Sequence, residues 1–463
     1  MRLHDYQIKL PVDNKIVDNI AKNNSVAYAI NYKKSQLKDP VDAYLFVKDE
    51  LLKEKTLHTA LKDEYSALTQ LRKLENIAPI EEEDTINVVK QIFNLQATYH
   101  VSVTFFTDGF VGPNYCLRPL RTYSIYQIAM VACGLKRHYH CIDWMNFADV
   151  KNNIDWDPRV LREKQLEAIG LSLMIQGNMK RTWLVSLELS RRWPKKEFAK
   201  KNVAQLKRFL KPEEMKTIDY VPPLVNRLSP DSNLNKLCRD EVPFTFYQNS
   251  SAVCYYQQNG YLNYFKVELL NLDPYVRLFH NVAGPSTTRR LRELASDKLV
   301  RGLVMDPKTG TKKTTSLRLS LTADLKKSDD ENVKNTDKMI GRMTELDMEA
   351  AESLKVIQYG VGGVYQPHYD FEPDKKANAV LGNRIATTLL YLNTPYKGGA
   401  TVFTHLKLHV PAIEGNALVW YNTHEDGTGD MRTQHAGCSI LSGEKWIANK
   451  WIFYDGQRLQ CRV

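Results

Sequence analysis

The chain has 463 residues, of which 43% are hydrophobic and 25% are charged, a balance typical of a folded globular protein rather than a disordered one. This length suggests about two to four domains, and no apolar run approaches the roughly 18 residues that a membrane-spanning helix needs. The net charge of +11 predicts a basic solvated surface. Because the chain has no dense arginine-rich block, a basic solvated surface is favoured over a nucleic-acid binding surface.

The N-terminal part, residues 1–98, is predicted to be helical. Apolar side chains recur at helical spacing over residues 42–76, and a second helix is expected over residues 84–95, with Asp84 as a plausible N-cap. Residues 99–120 contain turn-forming glycine and proline residues and are predicted to be a linker.

The next part, residues 121–211, is predicted to be a block of five helices. Their expected bounds, from the apolar periodicity and from turns at Gly177 and Pro194, are 122–135, 138–150, 158–175, 179–192 and 199–210. Residues 212–275 are rich in loop signals and are predicted to connect this block to the C-terminal domain.

Residues 276–463 are predicted to form a β-rich domain. After a strand at 275–280, a helix at 286–295, strands at 298–305 and 315–320, and a helix towards the end of 326–352, the pattern changes to short strands broken by turns. The expected strands cover residues 354–359, 385–392, 399–403, 408–410, 416–421, 433–438 and 445–453. This pattern favours an α+β multidomain protein whose last domain is a double-stranded β-helix of jelly-roll type.

Three residues of this domain suggest a metal site. His368 and Asp370 form a His-x-Asp pair, and His435 follows 65 residues after the Asp. Two imidazoles and one carboxylate can occupy one face of an octahedral Fe(II) ion and leave other positions open. The pair alone is a weak signal, because the chain has a second one, His424-x-Asp426. A hydrolytic zinc site with the same ligands is the chemical alternative.

Residues 355–461 closely resemble the catalytic domain of the collagen prolyl 4-hydroxylase α-subunit family. The resemblance lies in the ordered motifs Y-G-V-G-G-x-Y-x-P-H-Y-D-F, G-N-R-I-A-T, G-G-A-T-V-F, W-Y-N, G-D-x-x-x-x-H-A-x-C and K-W-x-x-N-K-W. It implies hydroxylation of proline at C4 in X-Pro-Gly peptides of procollagen type. The implied cofactors are Fe(II), 2-oxoglutarate and L-ascorbate, with O2 consumed and succinate and CO2 released.

The resemblance also implies roles for individual residues. His368, Asp370 and His435 match the iron ligands, and Lys445 matches the lysine that pairs with the distal carboxylate of 2-oxoglutarate. Further matches are Tyr359 and Thr401 beside that carboxylate, Trp451 in the pocket wall, and Arg384 and Asn202 as substrate-binding residues. Without the family, Tyr359, Thr401 and Lys445 would be interpreted as ordinary strand residues.

The helical block is similar to the family's tetratricopeptide-like domain, in which a tyrosine-lined groove holds proline-rich peptide in a polyproline II conformation. The chain departs from this pattern, since groove positions are occupied by Ala168, Leu171, Phe198 and Gln205, while Asn202 is retained. The alternative hypothesis is therefore a dioxygenase of the same family with a different protein substrate. A non-enzymatic binding protein is disfavoured by the complete set of site residues.

Seven cysteines are present, without a Cys-x-x-Cys spacing, and by sequence alone they could all be free thiols. The resemblance implies the disulfides Cys238–Cys254 and Cys438–Cys461, and it leaves Cys116, Cys133 and Cys141 without a role. It also implies an oxidising compartment, the lumen of the endoplasmic reticulum.

The implied partners are protein disulfide isomerase as β subunit and, through residues 1–98, a second α subunit. For those residues an intrachain core is an equally good reading. The first 15 residues lack the apolar core of a signal peptide, which the resemblance implies. We therefore expect that the sequence starts at a shortened N-terminus, and a protein that is not secreted is the alternative.

Overall fold

The computed structural model describes residues 40–60, 82–107, 110–112, 115–116, 119–210, 232–242, 253–258, 263–302, 304–305, 312–313, 318–371 and 382–457. The predictions for residues 1–39 and 61–81 and for Cys461 lie outside these ranges. Within them, no helix is both long enough and apolar enough to cross a membrane.

Helices occupy most of the described first half of the chain, and a few more lie in the second half. They are α1 (Pro40–Ala60), α2 (Glu82–Tyr99), α3 (Val103–Thr107), α4 (Thr122–Gly134), α5 (His138–Asn152), α6 (Arg162–Ile175), α7 (Met179–Arg192), α8 (Glu197–Leu206), α9 (Asn233–Cys238), α10 (Pro285–Ser296) and α11 (Glu331–Thr344). Two short 3-10 turns, Met348–Ala350 and Met431–Thr433, lie in the second half.

Most of the described strands lie in the second half of the chain, and one short pair lies in the first half. They are β1 (Phe110–Gly112), β2 (Tyr115–Cys116), β3 (Val253–Gln258), β4 (Tyr264–Asn271), β5 (Val276–His280), β6 (Val300–Arg301), β7 (Val304–Met305), β8 (Lys312–Lys313), β9 (Leu321–Leu325), β10 (Leu354–Tyr359), β11 (Tyr365–His368), β12 (Arg384–Tyr391), β13 (Lys397–Gly398), β14 (Thr401–Phe403), β15 (Leu408–Val410), β16 (Ala417–Tyr421), β17 (His435–Gly437), β18 (Ile440–Ser442) and β19 (Lys445–Phe453).

The five helices predicted for residues 121–211 are confirmed, with ends that shift by up to four residues. Local chemistry explains the turn between α6 and α7. Gly177 has a φ of 76°, which a residue without a Cβ adopts freely. The Asn178 side chain then accepts a hydrogen bond from the backbone N–H of Arg181 and caps α7. Sequence signals of this kind act over a few residues, so they fix helix ends without knowledge of the tertiary fold.

Two antiparallel sheets form the framework of the C-terminal domain. The larger has nine strands in the order β3-β4-β5-β16-β12-β19-β10-β9-β6, and the smaller has four in the order β11-β17-β14-β15. The stretch predicted as a linker, residues 212–275, therefore includes two strands, β3 and β4, that extend the larger sheet. Helices α10 and α11 cover one face of that sheet, where Leu291 and Ile340 pack with Val356 and Leu390.

The core between the two sheets surrounds the predicted site. Phe403 and Leu408 of the smaller sheet pack with Leu389, Tyr391 and Trp420 of the larger one. All five side chains are at most 5% exposed. Since side chains alternate between faces along a strand, the inward positions of β12, β14, β17 and β19 point into this same space.

The predicted disulfides Cys238–Cys254 and Cys438–Cys461 are wrong. Cys238 is bonded to Cys438, 200 positions away, and Cys254 is an exposed free thiol on β3. The reason is tertiary, because α9 docks on the smaller sheet, where Leu237 and Cys238 pack with Ala400, Val402, Ala436 and Cys438. A second disulfide joins Cys133 to Cys141 across the turn between α4 and α5.

The N-terminal helices also dock on the C-terminal domain. The hydroxyl of Tyr99, at the end of α2, donates to the backbone oxygen of Ser439 at 2.5 Å. The guanidinium of Arg239 donates to the backbone oxygen of Thr98 at 2.7 Å. Leu441 of β18 is part of the helical core. Helix α2, helix α9 and the β17–β18 connection thus meet at one junction, next to the Cys238–Cys438 disulfide.

Removal of the long-range disulfide tests this junction. We expect Cys238→Ser to lower the free energy of unfolding by about 2–5 kcal/mol, because the bond closes a loop of roughly 200 residues. The measurement is thermal unfolding followed by circular dichroism. Cys254→Ser is the matched control and should leave the midpoint unchanged; a comparable loss in both variants would contradict the observed pairing.

Candidate active site

The structure brings the three predicted ligands together. His368 ends β11, Asp370 follows two residues later, and His435 begins β17, directly opposite His368 in the antiparallel pair. The Nε2 of His368 lies 3.8 Å from Oδ1 of Asp370, and the Nε2 of His435 lies 3.7 Å from Oδ2. One ligand atom from each residue lies within 4.8 Å of the others, so a single ion can contact all three.

Hydrogen bonds orient both imidazoles for this purpose. The Nδ1 of His368 lies 2.8 Å from the backbone oxygen of Gln366, and the Nδ1 of His435 lies 3.0 Å from that of Thr433. A carbonyl oxygen can only accept, so each Nδ1 donates its proton, and each Nε2 presents its lone pair to the cluster. This is the tautomer that a metal ligand requires.

The carboxylate is held by its own support. The hydroxyl of Thr387 donates to Oδ2 of Asp370 at 2.8 Å, and the side-chain amide of Asn422 donates to Thr387 at 2.8 Å. Burial would raise the pKa of Asp370, which is 4% exposed, but His435, His368 and Arg384 together keep its pKa below the ordinary value. Asp370 is therefore an anion at neutral pH.

The first imidazole stays neutral. Burial, and next the nearby His435, lower the pKa of His368 to about 3. Its ring stacks on that of Tyr365 with centroids 3.5 Å apart, and the guanidinium of Arg318 lies 4.8 Å from the centre of the Tyr365 ring. The stack fixes the plane of the His368 ring.

A buried lysine lies deeper between the sheets. Lys445 is 2% exposed, and its Nζ donates to the hydroxyl of Thr401 at 3.3 Å, while Tyr391 donates to the same hydroxyl at 3.0 Å. The Nζ lies 5.9 Å and 5.5 Å from the ring centres of Tyr359 and Tyr391. Burial lowers the pKa of Lys445 to about 7. No carboxylate of the described residues pairs with the ammonium and counteracts this effect.

These residues fit Fe(II) and a dicarboxylate. Two imidazole nitrogens and one carboxylate, without a thiolate, are the facial donor set of non-haem Fe(II) oxygenases. Among the described residues, the buried ammonium of Lys445 donates a hydrogen bond only to a neutral hydroxyl, and a ligand carboxylate would supply the missing charge. Tyr359 and Thr401 lie where they could contact the same carboxylate.

The other predicted residues lie in two places. Trp451 is buried in β19, and the guanidinium of Arg384 lies 4.4 Å from its ring centre. Arg384 also donates to the backbone oxygen of Asp370 at 3.1 Å and to Glu352 at 2.8 Å. Both border the cluster. Asn202 lies on α8 in the helical block, in a different part of the fold.

Sequence reasoning missed the supporting residues. Thr387 and Tyr391 contact site residues, Asn422 donates to Thr387, and Tyr365 stacks on a ligand. Thr387 and Tyr391 occupy alternate positions of a predicted strand, so the period-two pattern placed them on one face. The pattern alone could not show that this face meets Asp370 and Thr401.

Metal binding distinguishes the two His-x-Asp pairs. We expect His435→Ala to weaken Fe(II) affinity at least about 100-fold, since even the loss of a residue that only supports a ligand costs 10- to 100-fold. His424→Ala is the matched control, because the His424 side chain is 49% exposed. The Fe(II) affinity of this variant should be unchanged. Anaerobic Fe(II) titration measures both, and an equal loss would refute the proposed ligand set.

Comparison with known proteins supports this chemistry. A family profile described as "2OG-Fe(II) oxygenase superfamily" matches residues 354–453, a range that includes His368, Asp370, His435 and Lys445. A structure of the viral collagen prolyl hydroxylase from Paramecium Bursaria Chlorella virus-1, as a 2OG complex, covers 38% of this chain and 95% of its own. Its identity is 23% and its TM-score is 0.32, a value too low to establish a shared fold.

Relatives extend the match to most of the chain. Prolyl 4-hydroxylase subunit alpha-2 of Caenorhabditis elegans is 34% identical over 442 residues, which is 90% of this chain and 81% of the relative. Subunit alpha-1 of the same organism is 30% identical over 487 residues, 99% of this chain and 85% of the relative. The chain therefore belongs to the prolyl 4-hydroxylase α-subunit family, and its cofactors are Fe(II) and 2-oxoglutarate.

Proposed function

We propose that this chain is the α subunit of a prolyl 4-hydroxylase that acts on X-Pro-Gly peptides of procollagen type. One peptidyl proline, one 2-oxoglutarate and one O2 give one 4-hydroxyproline, one succinate and one CO2. The observation that supports this most directly is the juxtaposition of the His368–Asp370–His435 cluster with a buried Lys445 between the same two sheets, with which no carboxylate of the described residues pairs. It is the arrangement that a metal-bound dicarboxylate needs.

The residues divide the work. His368, His435 and Asp370 would hold Fe(II), which, when bound, supplies the redox chemistry with O2 and 2-oxoglutarate. Lys445, with Thr401 and Tyr359, would orient the distal carboxylate. The rings of Tyr359 and Tyr391, which lie beside the ammonium, would exclude water. Arg384 and Trp451, which lie against each other beside Asp370, would contact the peptide.

The finer architecture belongs to the same proposal. The two sheets with the core between them suit a double-stranded β-helix of jelly-roll type. The antiparallel helices α4 to α8 suit a tetratricopeptide-like domain, with Asn202 in its peptide groove. We further propose protein disulfide isomerase as β subunit and the lumen of the endoplasmic reticulum as location, which two disulfides support.

A second candidate is a dioxygenase of the same family with a different protein substrate. The positions that match groove tyrosines are Ala168 and Leu171, and those that match a groove arginine and tyrosine are Phe198 and Gln205. Leu171 is 55% exposed and Phe198 is 44% exposed. These two exposed side chains, one aliphatic and one aromatic, lack the hydroxyl of a tyrosine. This difference favours a peptide that is not pure polyproline.

Turnover of 2-oxoglutarate separates the two candidates. The chain, co-expressed with protein disulfide isomerase, is assayed with Fe(II) and ascorbate, and with (Pro-Pro-Gly)10, poly-proline or no peptide. We expect (Pro-Pro-Gly)10 to stimulate formation of succinate and 4-hydroxyproline, and His435→Ala to abolish both. His424→Ala is the control. Turnover that no proline peptide stimulates would support the second candidate instead.

The pH dependence of 2-oxoglutarate binding tests Lys445. Its pKa of about 7 in the chain rises when a carboxylate pairs with the ammonium, so binding takes up a proton above that pH. Affinity should therefore be constant below about pH 7 and weaken as the pH rises above it.

Two variants complete this test, with Kd measured at a series of pH values. Lys445→Met should remove the pH dependence and weaken binding by about 2–5 kcal/mol, because one partner of a buried charge pair is lost. Lys445→Arg keeps the charge at all these pH values and should also lose the pH dependence. A wild-type affinity that strengthens with pH would contradict the role of Lys445.

A further inference from the structure

The positive charge of the chain is concentrated in one segment that contains two adjacent helices and the turns that follow them. Residues 179–210, which include α7 and α8, contain ten basic and two acidic residues, a net charge of +8 out of +11 for the whole chain. The remaining residues are thus nearly balanced in charge. We call this region the basic surface. Its basic residues are Lys180, which is buried, and Arg181, Arg191, Arg192, Lys195, Lys196, Lys200, Lys201, Lys207 and Arg208.

Much of this charge is available to a partner. Lys196 is neutralised by Glu163 and Glu167, Arg192 contacts Glu188, and Lys200 contacts Glu197. Five further cations are exposed and form no ion pair with a described residue, and these are Arg191, Lys195, Lys201, Lys207 and Arg208. Unpaired cations at this density repel one another, and an anionic partner would relieve that repulsion.

The basic surface is continuous with the groove of the proposed function. Phe198, Lys201 and Gln205 are spaced i, i+3 and i+7 on α8, so they lie on one side of the helix. Phe198 and Gln205 match groove positions, which places a cation between them. All three are exposed, and Arg208 follows in the turn after the helix. Where the family pattern has an arginine and a tyrosine, this side presents an aromatic ring and an amide, with the cation of Lys201 between them.

We propose that the groove and the basic surface bind acidic segments of the protein substrate, so that the chain prefers X-Pro-Gly sequences with Asp or Glu at X. This inference rests on the proposed function for the proline and glycine positions, and on charge complementarity for X. A peptide fits better than another polyanion because the exposed Phe198 lies on α8 among these cations, with the Nζ of Lys196 5.8 Å from its ring centre, and offers an apolar contact.

Peptide binding without turnover tests the proposal. The full chain with its β subunit is titrated, without 2-oxoglutarate, into fluorescein-labelled (Glu-Pro-Gly)5, (Lys-Pro-Gly)5 and (Pro-Pro-Gly)5, and anisotropy is recorded. We expect (Glu-Pro-Gly)5 to bind at least about fivefold more tightly than (Lys-Pro-Gly)5 at about 50 mM salt. The ratio should shrink at about 500 mM salt, where the Debye length is only about 4 Å.

Charge reversal assigns the preference to this surface. Lys201→Glu combined with Arg208→Glu should bring the ratio close to one. The matched control is Arg289→Glu combined with Lys338→Glu, which reverses two exposed cations of the C-terminal domain and should leave the ratio unchanged. Circular dichroism and the milder Lys201→Ala variant, expected to give an intermediate ratio, separate a binding effect from a folding defect.

Three results would overturn the inference: equal affinity for the three peptides, a ratio that survives the double reversal, or displacement of (Glu-Pro-Gly)5 by an oligonucleotide duplex at equal charge concentration. Anisotropy does not depend on catalysis. A missing preference therefore refutes this inference alone, whereas a lack of turnover with every proline peptide refutes the proposed function and leaves acidic-peptide binding intact.

Discussion

Two buried charges of opposite sign lie in one domain without neutralising each other. Asp370 is 4% exposed and Lys445 is 2% exposed, and no ion pair of the described residues joins them. Removing such groups from water costs several kcal/mol each. Thr387 donates a hydrogen bond to Asp370, whereas Lys445, among the described residues, donates only to the hydroxyl of Thr401. Fe(II) and the distal carboxylate of 2-oxoglutarate supply the missing countercharges, so cofactor binding and stability of the domain are linked.

The strands that position these groups are supported from outside the domain. Thr401 and His435 begin the paired strands β14 and β17, and the outer side of this pair is covered by α9. Helix α9 is fixed by the Cys238–Cys438 disulfide, and Arg239 connects it to the end of α2. The helical part of the chain is thereby joined to the two strands that hold an iron ligand and the hydroxyl beside Lys445. A change in that junction would be transmitted to the site through packed side chains rather than through a flexible linker.

Much of the fold could be predicted because its signals are local. The helix from residue 179 to residue 192 was predicted to the residue, since Asn178 caps it and Trp193-Pro194 follows its end. The site ligands could be predicted because their order along the chain matches a family. The cysteine pairs could not, because pairing depends on where α9 docks, and no local pattern near Cys238 refers to Cys438.

The sequence by itself determined the helical periods, the family and the identities of the chemical groups, namely two imidazoles, one carboxylate and one amine. Only the tertiary structure decided that His368 lies opposite His435 in an antiparallel pair, that Thr387 supports Asp370, and that the amine of Lys445 is buried with no carboxylate partner among the described residues. The physical reason is the distance along the chain over which each interaction acts. Capping and periodicity act over a few residues, whereas strand register, burial and the resulting pKa of Lys445 depend on the joint packing of strands far apart in the chain.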